Sequence, residues 1–253
     1  MNKVLTNRLW PAGIWLPALL GLASGLTLIP TSYSAGPEIA SAAQPARDGV
    51  PEVAVTRLGE LLKTAANDEE WRSAAIQLVP ALIAAQRAPE ALSLLDDPRL
   101  KGSALSNFWR GQALAMLHQW GEALPFFQTA ARDSASPART EATFGTAEMF
   151  RALGRSQEAL QTLNTLIDDR QWAVRARLRA AELLLDRSDW INAQHLLDEM
   201  NPTSPGERKE RRFLRGRLEL VRHRPEHATA TFESLIKKPE GAGHALIIAA
   251  LFA

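Results

Sequence analysis

Apolar residues recur along this chain in pairs of short amphipathic runs. Residues 104–135, ALSNFWRGQALAMLHQWGEALPFFQTAARDSA, show the figure most fully: Gly111 lies twelve positions before Ala123, and Phe127 and Ala130 follow four and seven positions later. The figure returns as Ala147, Ala159, Leu163 and Leu166, as Ala181, Ala193, Leu197 and Met200, and as Gly216, Ala228, Phe232 and Leu235. Steps along 123, 159, 193 and 228 are 36, 34 and 35 residues, a drifting period that marks stacked helical hairpins. Each unit holds two runs with apolar positions at i, i+3, i+4 and i+7, the spacing that gives a helix one buried stripe. Axes of touching helices lie roughly 8 to 10 Å apart, and the lower value needs small side chains. Gly111 with Ala123, Ala147 with Ala159, Ala181 with Ala193 and Gly216 with Ala228 are therefore the predicted crossing points.

The pattern weakens toward the N-terminus. Residues 51–66 place Val55, Leu58, Leu61 and Leu62 on one helical face, and a second helix starts at Asp68, where Asp68, Glu69 and Glu70 suit the positive end of the helix dipole. Pro80 inside that run removes a backbone hydrogen bond and predicts a kink or a break near Val79. Pro89, Glu90 and Ala91 open its partner helix, so 68–97 reads as a degenerate repeat. Clear repeats lie near 104–135, 140–169, 174–201 and 209–237, with turns at 133–137, 168–171 and 201–206. Residues 35–50, small, polar and Pro-containing, read as a flexible linker to a repeat domain over 51–253. At the other end Ala250 continues the small-residue series, so an incomplete repeat starts near 243. Its last nine residues, ALIIAALFA, have no polar face. Terminal repeats need a polar outer surface, so the expectation is a chain that continues in a longer protein, with 245–253 a candidate association surface.

The in-phase small residues and Gly154, at a turn position, resemble the tetratricopeptide repeat, well over 104–236 and weakly over 68–97. The resemblance implies an all-α α-solenoid of stacked antiparallel helix pairs with a right-handed superhelix. Asn107, Thr143, Arg177 and Arg212 depart from it, standing where the family prefers a bulky aromatic. The family binds partners with a concave wall lined by the first helix of each pair. Carried onto this chain, that wall is Phe108 and Gln112; Phe144, Glu148 and Arg151; Arg175, Leu178 and Glu182; and Arg217, with Phe108 and Phe144 as anchors. The lysine and asparagine clamp by which some members grip a C-terminal carboxylate is absent.

Lys3 and Arg8 precede an apolar run from Leu9 to Ile29, and Ser32 and Ser34 follow. This is the order of an export signal, with cleavage expected after Ser34 or, in competition, after Ala42. Left uncleaved, the run is long enough to anchor the chain in a membrane. Both outcomes put the repeats outside the cytoplasm, periplasmic or at the outer side of the membrane. The chain has no cysteine, which excludes disulfides, thiolate catalysis, thiolate metal sites and a lipid-modified cysteine. Without Lys3 and Arg8 the formal charge of +1 becomes −1, so nothing steers the chain as a whole toward nucleic acid. Charge is uneven in one place: 205–226 holds eight basic residues against four acidic ones. That stretch reads either as a solvated helix face or as a docking surface for an acidic peptide or anionic polymer.

Candidate chemistry is sparse. His223 and His227 have metal-ligand spacing, but Pro225 lies between them and the register puts them across a turn. The pairs Asp168/Asp169 and Asp96/Asp97 sit at helix ends, where capping acids are common. Trp71, Trp109, Trp120, Trp172 and Trp190 read as packing residues. The expectation is a noncatalytic exported scaffold that holds no cofactor and binds a protein or peptide of the envelope. The alternative is the helical-repeat portion of a longer envelope hydrolase, such as a lytic transglycosylase or metalloprotease, with its catalytic segment elsewhere.

Overall fold

The computed structural model describes residues 36–237, and every regular element among them is helical. Twelve α-helices follow one another: α1 (Pro37–Arg47), α2 (Pro51–Thr64), α3 (Asp68–Ala84), α4 (Ala88–Leu95), α5 (Ala104–Met116), α6 (Trp120–Arg132), α7 (Arg139–Ala152), α8 (Ser156–Asn164), α9 (Ala173–Asp186), α10 (Trp190–Glu199), α11 (Pro205–Val221) and α12 (Pro225–Lys237). They pack as six successive pairs, each against the next, which makes the described chain an α-solenoid. Residues 1–34, expected to direct export, and the apolar end 245–253 lie outside the described residues.

One turn joins the two helices of every pair. Gly49, Gln86, His118, Gly154, Ser188 and His223 all have positive φ, between 58° and 84°. Around His118, the His118 N–H donates to the Ala115 carbonyl and the Gln119 N–H to the Leu114 carbonyl. The same two bonds recur at Gly49, Gln86, Gly154, Ser188 and His223. This is the Schellman ending, in which a left-handed residue lets the chain satisfy the last helical carbonyls. His223 is thus a turn residue, and both it and His227 are exposed. Because the turn recurs at Gly49, the array starts one pair earlier than the hydrophobic pattern indicates. Residues 37–47 are not a linker: α1 buries Ile39, Ala42 and Ala43 against α2 and α3. Pro37 at the first turn and Pro45 made that run look extended; apolar burial outweighs their poor helix propensity.

Pro80 does not break α3. The helix runs on to Ala84 with Pro80, Val79, Leu82 and Ile83 all buried, and that burial exceeds the loss of about one hydrogen bond. An Asn67 cap starts the helix by accepting from the Glu69 and Glu70 N–H groups at 3.0 Å.

All eight predicted crossing residues are buried. At two of them the nearest neighbour is an aromatic ring of the partner helix. A Cβ on Gly111 would lie 3.0 Å from Phe127 Cγ, and one on Gly145, in the next pair, 2.7 Å from Phe127 Cδ1 and Cε1. Phe127, 0% exposed, is therefore held between α5 and α7 with no room to spare. Gly216 receives the Phe232 ring in the same way, with Cζ 2.6 Å from where a Cβ would stand.

The core divides at α9. Ala176, Ala180 and Leu183 join the apolar cluster that runs back to α1, whereas Leu178, Ala181 and Leu185 join a second cluster reaching α12.

Candidate functional site

The wall carried over from the resemblance turns out to be two different surfaces. Its apolar part is core. Phe108 stands with its ring centroid 4.8 Å from Trp109 and 6.0 Å from Phe127, and Phe144 5.0 Å from Trp172. Both phenylalanines are 6% exposed, and Leu178 and Gln112 are buried as well. The expectation that Phe108 and Phe144 anchor a partner is corrected accordingly, because nearly all of each ring is already covered by this chain. Trp109 and Trp172 pack as expected, while Trp71 and Trp120 are half-buried and Trp190 is exposed.

Its polar part forms one row. The Arg151 guanidinium donates through Nε and Nη2 to Glu148 Oε2, at 3.2 and 2.8 Å. Glu148 Oε1 lies 2.8 Å from Arg179 Nε, an ion-pair contact between α7 and α9 whose N–H is not aligned for a hydrogen bond. Arg179 in turn donates to Glu182 through Nη1. Further along, Arg217 Nη2 of α11 donates to Asp186 Oδ1 of α9 at 2.6 Å. Glu148, Arg179 and Glu182 are buried; Arg151 and Arg217 are half-buried at its edges. Arg175 stands apart, its guanidinium 5.2 Å from the Trp172 ring.

Backbone contact between α7 and α9 is slight at most, and Glu148 and Arg179 bridge the two helices through their side chains. Gly145 and the preceding Phe127 use the near side of α7, and long charged side chains fill the space toward α9. Arg179 was missed from the sequence. A signal was there: its register position is held by Trp109 in α5, Gly145 in α7 and Leu214 in α11, so an arginine is the one charge in the series.

The fields within the row are strong. Burial opposes the charge on Arg179, but Glu148, Glu182 and Glu210 outweigh it and hold the guanidinium well above its ordinary value. Burial likewise pushes Glu182 up, and Arg179, Arg151 and Arg217 outweigh that push, leaving its carboxyl below the usual carboxylate range. Glu210, on α11, goes the other way. Its burial, reinforced by Glu182, Glu148 and Glu207, exceeds the pull of Arg179, and its carboxyl is raised.

Among the described residues, no group of three or more His, Asp or Glu side chains is placed to hold a metal ion. No described helix is long and apolar enough to cross a membrane. Compared with known proteins, the chain matches no family model, no curated protein and no solved structure.

Proposed function

We propose that the protein is an exported, noncatalytic scaffold of the tetratricopeptide-like kind that binds an extended segment of another envelope protein along its first helices. One observation carries the reading: Arg151, Glu148, Arg179 and Glu182 form a continuous charged row across α7 and α9. Apolar side chains of similar volume would stabilise such a position as well or better, so the row is a poor device for stability and a good one for orienting donors. Arg151 and Arg217, fixed by Glu148 and Asp186, keep further N–H groups at the half-exposed edge, where a carboxylate or carbonyl of a partner can accept from them. The charged n-region and apolar run of residues 1–34 support export.

A cross-linked pull-down from envelope extract, repeated with Arg151→Gln/Arg217→Gln and with Glu122→Gln/Glu158→Gln, tests the binding surface. The first pair should lose the partner and the second keep it; the reverse would place binding on the other side of the array. Fusing residues 1–50 to an alkaline phosphatase that is active only outside the cytoplasm tests export, and an inactive fusion would remove that part of the reading.

A further inference from the structure

The basic stretch at 205–226 is α11, and it forms the floor of a groove of about 750 Å³ walled by α10 and α12. Backbone contact between the two wall helices is slight at most, and the face of α11 between them lines the groove. Arg208, Arg211, Arg212, Arg215 and Arg222 all line this groove. At about 100° per residue they fall on one side of the helix, and Arg217 stands about 180° from Arg208. The groove is therefore a different surface from the charged row described above.

Two of the five arginines are neutralised by carboxylates. Arg215 Nη2 donates to Asp198 Oδ1 at 2.7 Å, and Arg222 Nη1 lies 3.5 Å from Glu219 Oε1. The other three have no carboxylate within ion-pair reach among the described residues. Arg208 Nη1 donates to the Thr203 carbonyl at 2.5 Å and Arg211 Nη1 to the Met200 carbonyl at 3.2 Å, while Arg212 is exposed. Burial and the like charge of Arg215 lower Arg211 against the pull of Asp198, as expected where cations crowd without enough counter-charge.

We infer that this groove binds an acidic polypeptide segment in extended conformation, with carboxylates at alternate positions seated on Arg208 and Arg212. The spacing fits. One helical turn sets Arg208 and Arg212 about 6 Å apart along α11, and alternate residues of an extended chain project to one side about 6.6 Å apart. Arg208 to Arg222 covers about 21 Å, room for about six extended residues. Each guanidinium can present two parallel N–H groups to a carboxylate. The walls favour a peptide. Thr231 and Ser234 donate their hydroxyl protons inward to the His227 and Thr231 carbonyls, which leaves their oxygens able to accept from peptide N–H groups. Asp198 and Glu219 sit in the same groove, and they would repel a nucleic-acid strand, which carries a phosphate about every 3.4 Å, but not a segment whose neutral residues fall beside them. The occupant proposed is a segment of a partner protein: of the given residues outside 36–237, Glu240 alone is acidic.

Fluorescence anisotropy of the purified chain with a labelled octapeptide, Gly-Asp-Leu-Asp-Leu-Glu-Leu-Gly, tests this against the same peptide carrying Asn and Gln in place of the acids. The acidic peptide should bind at least about tenfold more tightly, and Arg208→Gln and Arg212→Gln should each weaken it about tenfold, the loss of one charged hydrogen-bond pair. Both side chains are exposed, so circular dichroism of the variants should match the parent. A salt series on the parent chain gives a reading that needs no variant, with affinity falling as salt rises. The proposal is overturned if both peptides bind alike, if the double variant binds the acidic peptide as well as the parent, or if affinity ignores salt. It is equally overturned if a single-stranded oligonucleotide or a phosphatidylglycerol vesicle binds more tightly through the same arginines at the same salt.

Discussion

The contact of α6 with α7 and the contact of α7 with α9 close neighbouring seams of one array by opposite chemistry. In the first, the Phe127 ring is fully buried between Gly111 and Gly145. In the second, Glu148 reaches across to Arg179, and the apolar core parts into two clusters on α9. Shape sets the first spacing, since a ring that fills its slot leaves no alternative distance. Charge sets the second, at a desolvation cost that the pairing has to repay. An apolar seam can be loosened step by step by removing atoms, but a buried ionic one fails all at once when a single partner is lost.

That contrast yields the largest expected effects. Phe127→Ala should cost about 3 to 5 kcal/mol through lost burial and a cavity. Arg179→Met should cost a similar amount, about 3 to 5 kcal/mol, because Glu182 loses its hydrogen-bonding partner and only the half-buried Arg151 remains against Glu148. Replacing the set together, as Glu148→Leu/Arg179→Met/Glu182→Leu, should return urea stability to near the parent or above it. A single Arg179→Met variant that melts with the parent would show that the seam does not depend on the ion row.

Glycine substitutions sharpen the apolar side of the comparison. Gly145→Ala and Gly216→Ala each drive a Cβ into a buried ring, an overpacking cost of about 1 to 3 kcal/mol that exceeds the roughly 1 kcal/mol gained in helix propensity. Gly111→Ala, where the Cβ would stand at 3.0 Å, should fall closer to neutral, while Ala159→Leu should cost about 1 to 3 kcal/mol. Denaturant midpoints of the four variants check the order, and equal midpoints would mean that the rings have room to move.

The turns offer a smaller gain. His118, Ser188 and His223 hold φ near 60° without being glycine, a conformation that disfavours a Cβ by about 1 kcal/mol. Each substitution by Gly should therefore stabilise by up to about 1 kcal/mol, read as a rise in melting temperature of the triple variant over the parent. No rise would indicate that the turn backbone relaxes at no cost.

The pH dependence is the weakest handle, and its two arms have opposite signs. Glu182 is held below its ordinary 4.5, so its stabilising contribution is full above that value and is lost as pH falls through the folded pKa. Glu210 is held above 4.5, so stability is lost as pH rises from the ordinary value toward the folded one. Urea midpoints between about pH 3 and 8 should show the acid arm flattened by Glu182→Gln and the upper arm by Glu210→Gln. Variants that leave both arms unchanged would detach these carboxylates from the seam's energetics.

Much of the repeat was legible because it is local and periodic. The small residues at 111, 147, 181 and 216 mark helix contacts that recur every 34 to 36 residues, and all of them are buried. The pair α1/α2 was half missed for a reason just as specific. Residues 37–47 carry two prolines and mostly small side chains, so their own propensity is poor and their apolar face slight. Packing of Ile39, Ala42 and Ala43 on α2 and α3 makes the helix. The recurring turn residue was a second signal, but Gln86, His118, Ser188 and His223 share no chemistry, so only their common backbone shape reveals the series.

What the sequence by itself determined is the architecture: periodic apolar stripes, small residues at crossings and turns at a fixed interval leave an all-helical chain little choice but to stack its hairpins. What the tertiary structure decided is which side chains remain available. Phe108 and Phe144 sit at register positions that could face outward, and neighbouring rings cover them. Arg179 sits at an otherwise uncharged register position and meets Glu148 31 residues away, while Arg208 and Arg212 line the groove between α10 and α12. A repeat period describes each unit against its own axis; which charges are paired, buried or open depends on the distance between units, and that distance is set by the volumes that meet there.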